Sequence, residues 1–86
     1  MYKVYWLIKE DYSATYLGFS NDLKRRVKEH RDGKVKTTKS FGIFRIFLLE
    51  QVETLERARE REKYWKSSIG RKKLKNYFNK IKNKKN

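Results

Sequence analysis

Tyr16-Leu17-Gly18, followed by Arg26 and, one helical turn later, by His30, is the densest run of chemistry-bearing side chains in the sequence. Tyr5 lies on the N-terminal side of this run, and much later Glu62 interrupts an otherwise apolar helical stripe. Two tyrosines, one arginine, the single histidine and one misplaced carboxylate are the parts that a metal-assisted phosphodiester-cleaving site would use. The arginine fork suits a phosphate. A histidine changes charge near neutral pH and can carry a proton or donate to a phosphate. Tyrosine hydroxyls can orient water, or act as bases where neighbouring cations lower their pKa. A carboxylate facing a core is costly unless it is paired or holds a cation. Taken singly, each residue also has an ordinary explanation: a core aromatic, a surface arginine, a histidine favoured at a helix C-terminus, a glutamate paired with a lysine.

Composition narrows the chemistry. Eighty-six residues make one small domain with a modest core, to which the 15% aromatic residues contribute large apolar areas. Proline is absent and glycine scarce, which argues against a disordered or collagen-like chain. Without cysteine there can be no disulfide, thiolate zinc site or cysteine nucleophile, and one histidine cannot build a multi-histidine metal site. Any metal is therefore a hard cation held by oxygen, Mg²⁺ or Mn²⁺, with few protein ligands and several waters. A net charge of +14 favours a polyanion, most simply nucleic acid. No segment reads as a long basic amphipathic helix for a membrane surface, and the apolar run Val4 to Ile8 is too short for a signal peptide or a span. The expectation is a cytoplasmic protein without a membrane partner.

The elements that must position these residues follow from periodicity. Tyr2 to Lys9 reads as a strand, with Tyr2, Val4, Trp6 and Ile8 on one face and Lys3, Tyr5, Leu7 and Lys9 on the other. After a polar turn, Ser13 to Leu17 returns as a second strand, which brings Tyr5 and Tyr16 together as cross-strand neighbours. Gly18 is expected to end that strand and permit a close approach or a positive φ. Ser20 is the expected cap of a helix from about Asn21 to Asp32, on which Arg26 and His30 share a face. Gly33 to Ser40 is a basic loop. Lys34, Lys36, Thr37, Thr38 and Lys39 suit it to phosphate contacts. Phe41 to Glu50 alternates Phe44, Ile46 and Leu48 with Ile43, Phe47 and Leu49, a strand apolar on both faces. Thr54 is the expected cap of a helix from about Leu55 to Ser68, with Leu55, Ala58, Glu62, Trp65 and Ile69 inward. A last helix runs from about Arg71 to Phe78 or Ile81. The order β-β-α-β-α-α predicts an α+β fold, a small and mostly antiparallel sheet with helices packed on it.

Together these residues resemble the GIY-YIG nuclease superfamily, most closely its small single-domain members. Lys3-Val4-Tyr5 resembles the first motif and Tyr16-Leu17-Gly18 the second. Asn21-Asp22-Leu23-Lys24-Arg25-Arg26-Val27-Lys28-Glu29-His30 resembles the helix signature, and Arg61-Glu62-Lys63-Tyr64-Trp65 the metal-binding segment. The resemblance covers about residues 2 to 76. It implies a three-stranded sheet flanked by three helices, in a domain over residues 1–79; the Lys/Asn-rich end, 80–86, is expected to be a basic, frayed tail. The resemblance places the family's catalytic positions on Tyr5, Tyr16, Arg26, His30 and Glu62, with Arg26 rather than Arg25 because it directly precedes Val27. A late asparagine used by some members falls nearest Asn76. The implied activity is hydrolysis of DNA phosphodiester bonds, the DNA being a plain, branched or damaged duplex. Glu62 would hold Mg²⁺ or Mn²⁺, Arg26 would stabilise the transition-state phosphate, and Tyr5 would activate water directly or through a neighbour. With no appended reader of sequence, specificity is expected from a partner protein, a homodimer, or this small surface itself.

Two other readings stay open at this stage. One is a nucleic-acid-binding module that is catalytically silent. The other is a basic structural protein bound to RNA or a ribosome.

Overall fold

The computed structural model describes residues 1–84. Its elements run β1 (Tyr2–Lys9), β2 (Thr15–Ser20), α1 (Leu23–Arg31), a 3-10 turn (Lys36–Thr38), β3 (Phe44–Val52), α2 (Leu55–Lys66) and α3 (Ser68–Lys84). The three strands form one antiparallel sheet in the order β2-β1-β3, and the three helices complete the α+β fold. Strand β1 is central. Its alternating pattern feeds two cores, because successive side chains leave opposite faces. Val4, Trp6 and Ile8 are buried with Trp65 of α2 and Leu74 of α3, and Leu17, Phe19, Phe47, Leu49 and Phe78 pack around them. Tyr5 and Leu7 are buried on the other face with Phe41, against Tyr16, Leu23, Phe44 and Ile46. Each of the fully buried aliphatic side chains Val4, Leu7 and Ile8 contributes about 1.5–3 kcal/mol through removal from water.

Several boundaries differ from expectation. Strand β2 continues through Gly18 to Ser20, because Gly18 pairs with Tyr5 and Ser20 with Lys3. Tyr16 stands opposite Leu7, so the two tyrosines are diagonal neighbours, not directly paired ones. The cap of α1 is Asp22, whose side chain accepts from Arg25 N at 3.1 Å; Ser20 Oγ accepts from Asp22 N instead. At the other end of α1, Gly33 has φ +74°, and its N–H and that of Lys34 donate to the His30 and Glu29 carbonyls. This pair of bonds closes the helix through a left-handed residue, the conformation glycine adopts at least cost. Phe41 lies before β3 and anchors the preceding loop in the Tyr5–Leu7 core.

Thr54 caps α2 as expected, its side chain accepting from Arg57 N. The inward stripe holds at Ala58 and Trp65, but Leu55 and Ile69 are exposed. The chain breaks helix at Ser67, so the rotational phase restarts in α3 and Ile69 no longer continues the α2 stripe. Gly70 sits where a Cβ would collide with the Tyr64 carbonyl oxygen and the Trp65 backbone, which lets α3 start hard against the end of α2. Helix α3 begins earlier and runs longer than periodicity predicts. Residues 80–84 of the expected tail are helical, and 85–86 lie outside the described residues. Among the described residues, no helix is long and apolar enough to cross a membrane.

Strand β3 carries a register shift. Val4 pairs with Glu50 and Tyr5 with Leu48, which leaves Leu49 as an extra residue, a bulge. Strict alternation places Glu50 on the side of Ile46 and Leu48. The bulge turns it to the α2 side, where Glu50 Oε2 accepts from Arg61 Nε at 2.7 Å and Trp65 Nε1 at 2.6 Å. Burial alone pushes the Glu50 carboxyl up. The bonds from Arg61 and Trp65 more than offset this and hold it below its ordinary value. Helix α2 is thereby fastened to the sheet by a charged bond one residue from Glu62.

Candidate active site

Tyr5 points from the centre of β1 into the layer under α1 and is fully buried. Its Oη lies 2.8 Å from Nε2 of His30, which is also buried. The far side of the imidazole is occupied: His30 Nδ1 lies 2.7 Å from Oγ1 of Thr38. The Tyr16 ring packs edge-on to His30 with centroids 4.9 Å apart, and the Tyr5 ring does so at 5.7 Å. Phe44 of β3 closes the ring cage. Helix geometry puts Arg26 one turn before His30 on the same face. Its guanidinium donates to Glu29 Oε1 at 3.0 Å and lies beside the phenols of Tyr5 and Tyr16. Four of the five expected positions, Tyr5, Tyr16, Arg26 and His30, thus meet in one cluster.

The electrostatics of the cluster follow from burial among donors. Burial drives the Tyr5 phenol up to about 12, the Arg26 bond pulling it back only in part. Tyr5 is therefore a neutral hydroxyl at rest. Burial first, and the Arg26 charge second, hold His30 below its ordinary value, so its resting state is a neutral imidazole. The Tyr5 bond, joined by those from Glu29 and Tyr16, holds the Arg26 pKa above its ordinary value. Arg26 remains the fixed cation of the site.

Glu62 comes from the other layer. It lies on α2, whose Trp65 packs in the Trp6 core, and α2 lies along β2 and β1. The Glu62 side chain is half-buried, and its Oε1 faces Lys66 Nζ at 3.6 Å. Among the described residues no group of three or more His, Cys, Asp or Glu side chains stands together as a metal cage. One carboxylate whose only ion-pair partner among the described residues is a half-exposed lysine fits a hard cation that takes its remaining ligands from water and phosphate. Asn76 is exposed on α3.

The basic loop divides. Lys34, Lys36, Thr37 and Lys39 are exposed. Thr38 is not a surface residue, with 1% of its area accessible, and its hydroxyl is taken up by His30. The expectation of a phosphate contact at Thr38 is corrected accordingly: the 3-10 turn rolls that side chain inward. Two residues escaped the sequence reading. Glu29, which orients Arg26, was legible as an i, i+3 partner. Glu50, which fastens the Glu62 helix, was hidden by the bulge.

A family model described as the GIY-YIG catalytic domain matches residues 1–77. The UPF0213 protein YazA of Bacillus subtilis (strain 168) is 34% identical over 70 residues, which cover 80% of this chain and 71% of that protein. No solved structure matches the chain. The match spans β1 through most of α3 and takes in the whole tyrosine–arginine–histidine cluster, so the chain belongs to the GIY-YIG family and is a domain of nuclease type.

Proposed function

We propose that the protein is a metal-dependent endonuclease that hydrolyses DNA phosphodiester bonds. The observation that carries this reading is the buried hydrogen bond between the Tyr5 phenol and His30, with Arg26 beside both phenols. A structural core has no need of an arginine, two phenols and an imidazole in one cluster. A site that moves a proton beside a phosphate does.

The residues divide the work by position. Tyr5 is sealed from solvent, so it does not meet water directly; Tyr16, half-buried and packed against it, is the nearer phenol. The attacking water gives its proton to the Tyr16 oxygen as the Tyr16 proton passes to Tyr5 and the Tyr5 proton to His30 Nε2. The new bond is water oxygen to phosphorus. The bond that breaks is phosphorus to the leaving sugar oxygen, which takes a proton from solvent. Arg26 lies against the phosphate and stabilises the charge that grows on it. An anionic phosphate beside Arg26 also offsets the positive charge that keeps His30 from accepting a proton. Glu62 would hold the divalent cation, and a bound Mg²⁺ or Mn²⁺ supplies Lewis-acid stabilisation of phosphate and leaving oxygen. Lys34, Lys36 and Lys39 bind the DNA backbone, which makes association salt-dependent.

The experiment is incubation of supercoiled plasmid and of branched DNA with the protein and Mg²⁺ or Mn²⁺. Nicking that disappears in Glu62→Ala and Tyr5→Phe is the expected result. No nicking, or nicking unchanged in both variants, overturns the reading. A second reading, a nucleic-acid-binding module without catalysis, draws on the ion pair of Glu62 with Lys66 and the sealed Tyr5 hydroxyl. It expects tight, salt-sensitive DNA binding with no product.

A further inference from the structure

We infer that Thr38 is a positioning residue that locks His30 in the Nδ1–H tautomer and so leaves Nε2 free to accept the Tyr5 proton. This rests on the endonuclease reading for its consequence, but not for its geometry. Two independent accountings of hydrogens lead to the same tautomer.

The first starts at Thr38. A threonine hydroxyl has one proton and two lone pairs. Thr38 Oγ1 lies 3.5 Å from the carbonyl oxygen of Val35, three residues back, and 2.7 Å from His30 Nδ1. The carbonyl can only accept, so the hydroxyl proton is directed there. The lone pairs then face the imidazole, and Nδ1 must carry the hydrogen. The 3-10 turn holds this arrangement: Thr38 N donates to Val35 O and Phe41 N to Thr38 O, while Phe41 is buried in the Tyr5–Leu7 core. A β-branched side chain inside such a turn has little rotameric freedom.

The second starts at Tyr5. Arg26, a donor without lone pairs, already faces the phenol oxygen. A proton on Nε2 would bring a second donor to that oxygen and leave the Tyr5 hydrogen to seek an acceptor at Tyr16. A lone pair on Nε2 takes the Tyr5 hydrogen directly across 2.8 Å. The groups that face the ring are Tyr5 and Tyr16 from the sheet, Arg26 and Glu29 from α1, and Phe44 from β3. None of these offers Nδ1 an alternative partner among the described contacts. With the tautomer set from behind, the ring cannot flip to present a donor to Tyr5, which is the role of the group that orients a catalytic imidazole.

His30 is the single histidine, so its ring nitrogens give the only imidazole signals in the ¹⁵N-labelled full chain. Long-range ¹H–¹⁵N correlation at pH 7.5 is expected to show a protonated-type Nδ1 and a lone-pair-type Nε2 in the unaltered protein. Thr38→Val removes the hydroxyl at nearly constant shape, and is expected to shift the signals toward the Nε2–H tautomer and lower kcat for nicking about 10–100-fold with KM for DNA little changed. Thr38→Ser keeps a hydroxyl and is expected to restore both. An Nε2–H tautomer in the unaltered protein overturns the inference even if Thr38→Val does not fold. So does an unchanged tautomer in a folded Thr38→Val. If the tautomer behaves as expected but the unaltered protein does not cut DNA, the positioning role of Thr38 stands and the endonuclease reading falls.

Discussion

Gly18 stands directly opposite Tyr5 in the β1–β2 ladder, and its bare Cα makes room for the Tyr5 hydroxyl. A Cβ at this position would lie 2.8 Å from Tyr5 Oη and 2.9 Å from Tyr16 Cε1. The glycine of the second motif is thus required by the site, in mid-strand, where its φ is unexceptional. Gly18→Ala is expected to push both phenols off their present positions. Overpacking of this kind costs about 1–3 kcal/mol. A urea melt should show that loss, and plasmid nicking should fall by more than the change in folded fraction accounts for.

Removing the Tyr5 hydroxyl isolates the proton path. In Tyr5→Phe the ring stays to fill the core, but His30 Nε2 and one donor of Arg26 lose their partner. A buried group left unsatisfied costs about 1–3 kcal/mol, and loss of a proton-transfer partner about 10²–10⁴-fold in rate. The variant should stay folded by circular dichroism and bind DNA as before, with the loss confined to kcat. A Tyr5→Phe protein that nicks at the normal rate removes Tyr5 from the path.

Glu62→Gln separates metal binding from architecture. Its ion pair with Lys66 is partly exposed and loose, so its removal is worth only about 0–1 kcal/mol. Thermal midpoint and salt-dependent DNA affinity should therefore be nearly unchanged, while nicking in Mg²⁺ or Mn²⁺ disappears. A large fall in stability would instead make Glu62 a structural residue.

The stability of the fold should record the protonation of His30. Its folded value is depressed by burial and by Arg26, so the unfolded chain binds a proton that the folded chain refuses. Stability is full above the unfolded histidine value of about 6.5. Below it, stability declines by up to about 1.4 kcal/mol per pH unit until the lower folded value is reached. The carboxylates with depressed values, Asp32 and Glu50 among them, lose their contribution only at more acid pH, below their own unfolded range. Urea midpoints between pH 7.5 and 5 should fall in the unaltered protein and stay flatter in His30→Gln. Parallel curves would show that His30 keeps an ordinary value in the fold.

What could be read from sequence was whatever depends on near neighbours. The two-residue alternation of β1 separates the Trp6 core from the Tyr5 core, and the helical repeat puts Arg26 and His30 on one face. Thr54 caps α2 because the capping bond reaches only three residues ahead. The failures share a different cause. Thr38 is drawn inward by a histidine eight residues back in sequence and by the packing of Phe41, and nothing in a lysine–threonine loop reports that. Gly18 was read as a strand end that permits a close approach; the close approach holds, but the strand runs on to Ser20. The glycine's place is set by a phenol on the neighbouring strand. Glu62 stood out as a carboxylate in an apolar stripe, but only Ala58 and Trp65 of that stripe are buried, and its Lys66 partner on the next turn gives it an ordinary role as well. The grouping of Tyr5, Tyr16 and Arg26 around His30 was therefore legible, and the layer that holds Glu62 was not.

The bulge at Leu49 makes this protein sensitive to the register of β3 in a way that its composition does not show. Straightening the bulge with Leu49 kept in the ladder would give β3 unbroken alternation and β1 an uninterrupted pairing, a more regular sheet by every local measure. It would also turn Glu50 away from Arg61 and Trp65, and the helix that bears Glu62 would lose its charged tether to the sheet. Point changes along β3 alter one contact each. A one-residue slip of register there would release helix α2 from the sheet while leaving every side chain of the site in the chain.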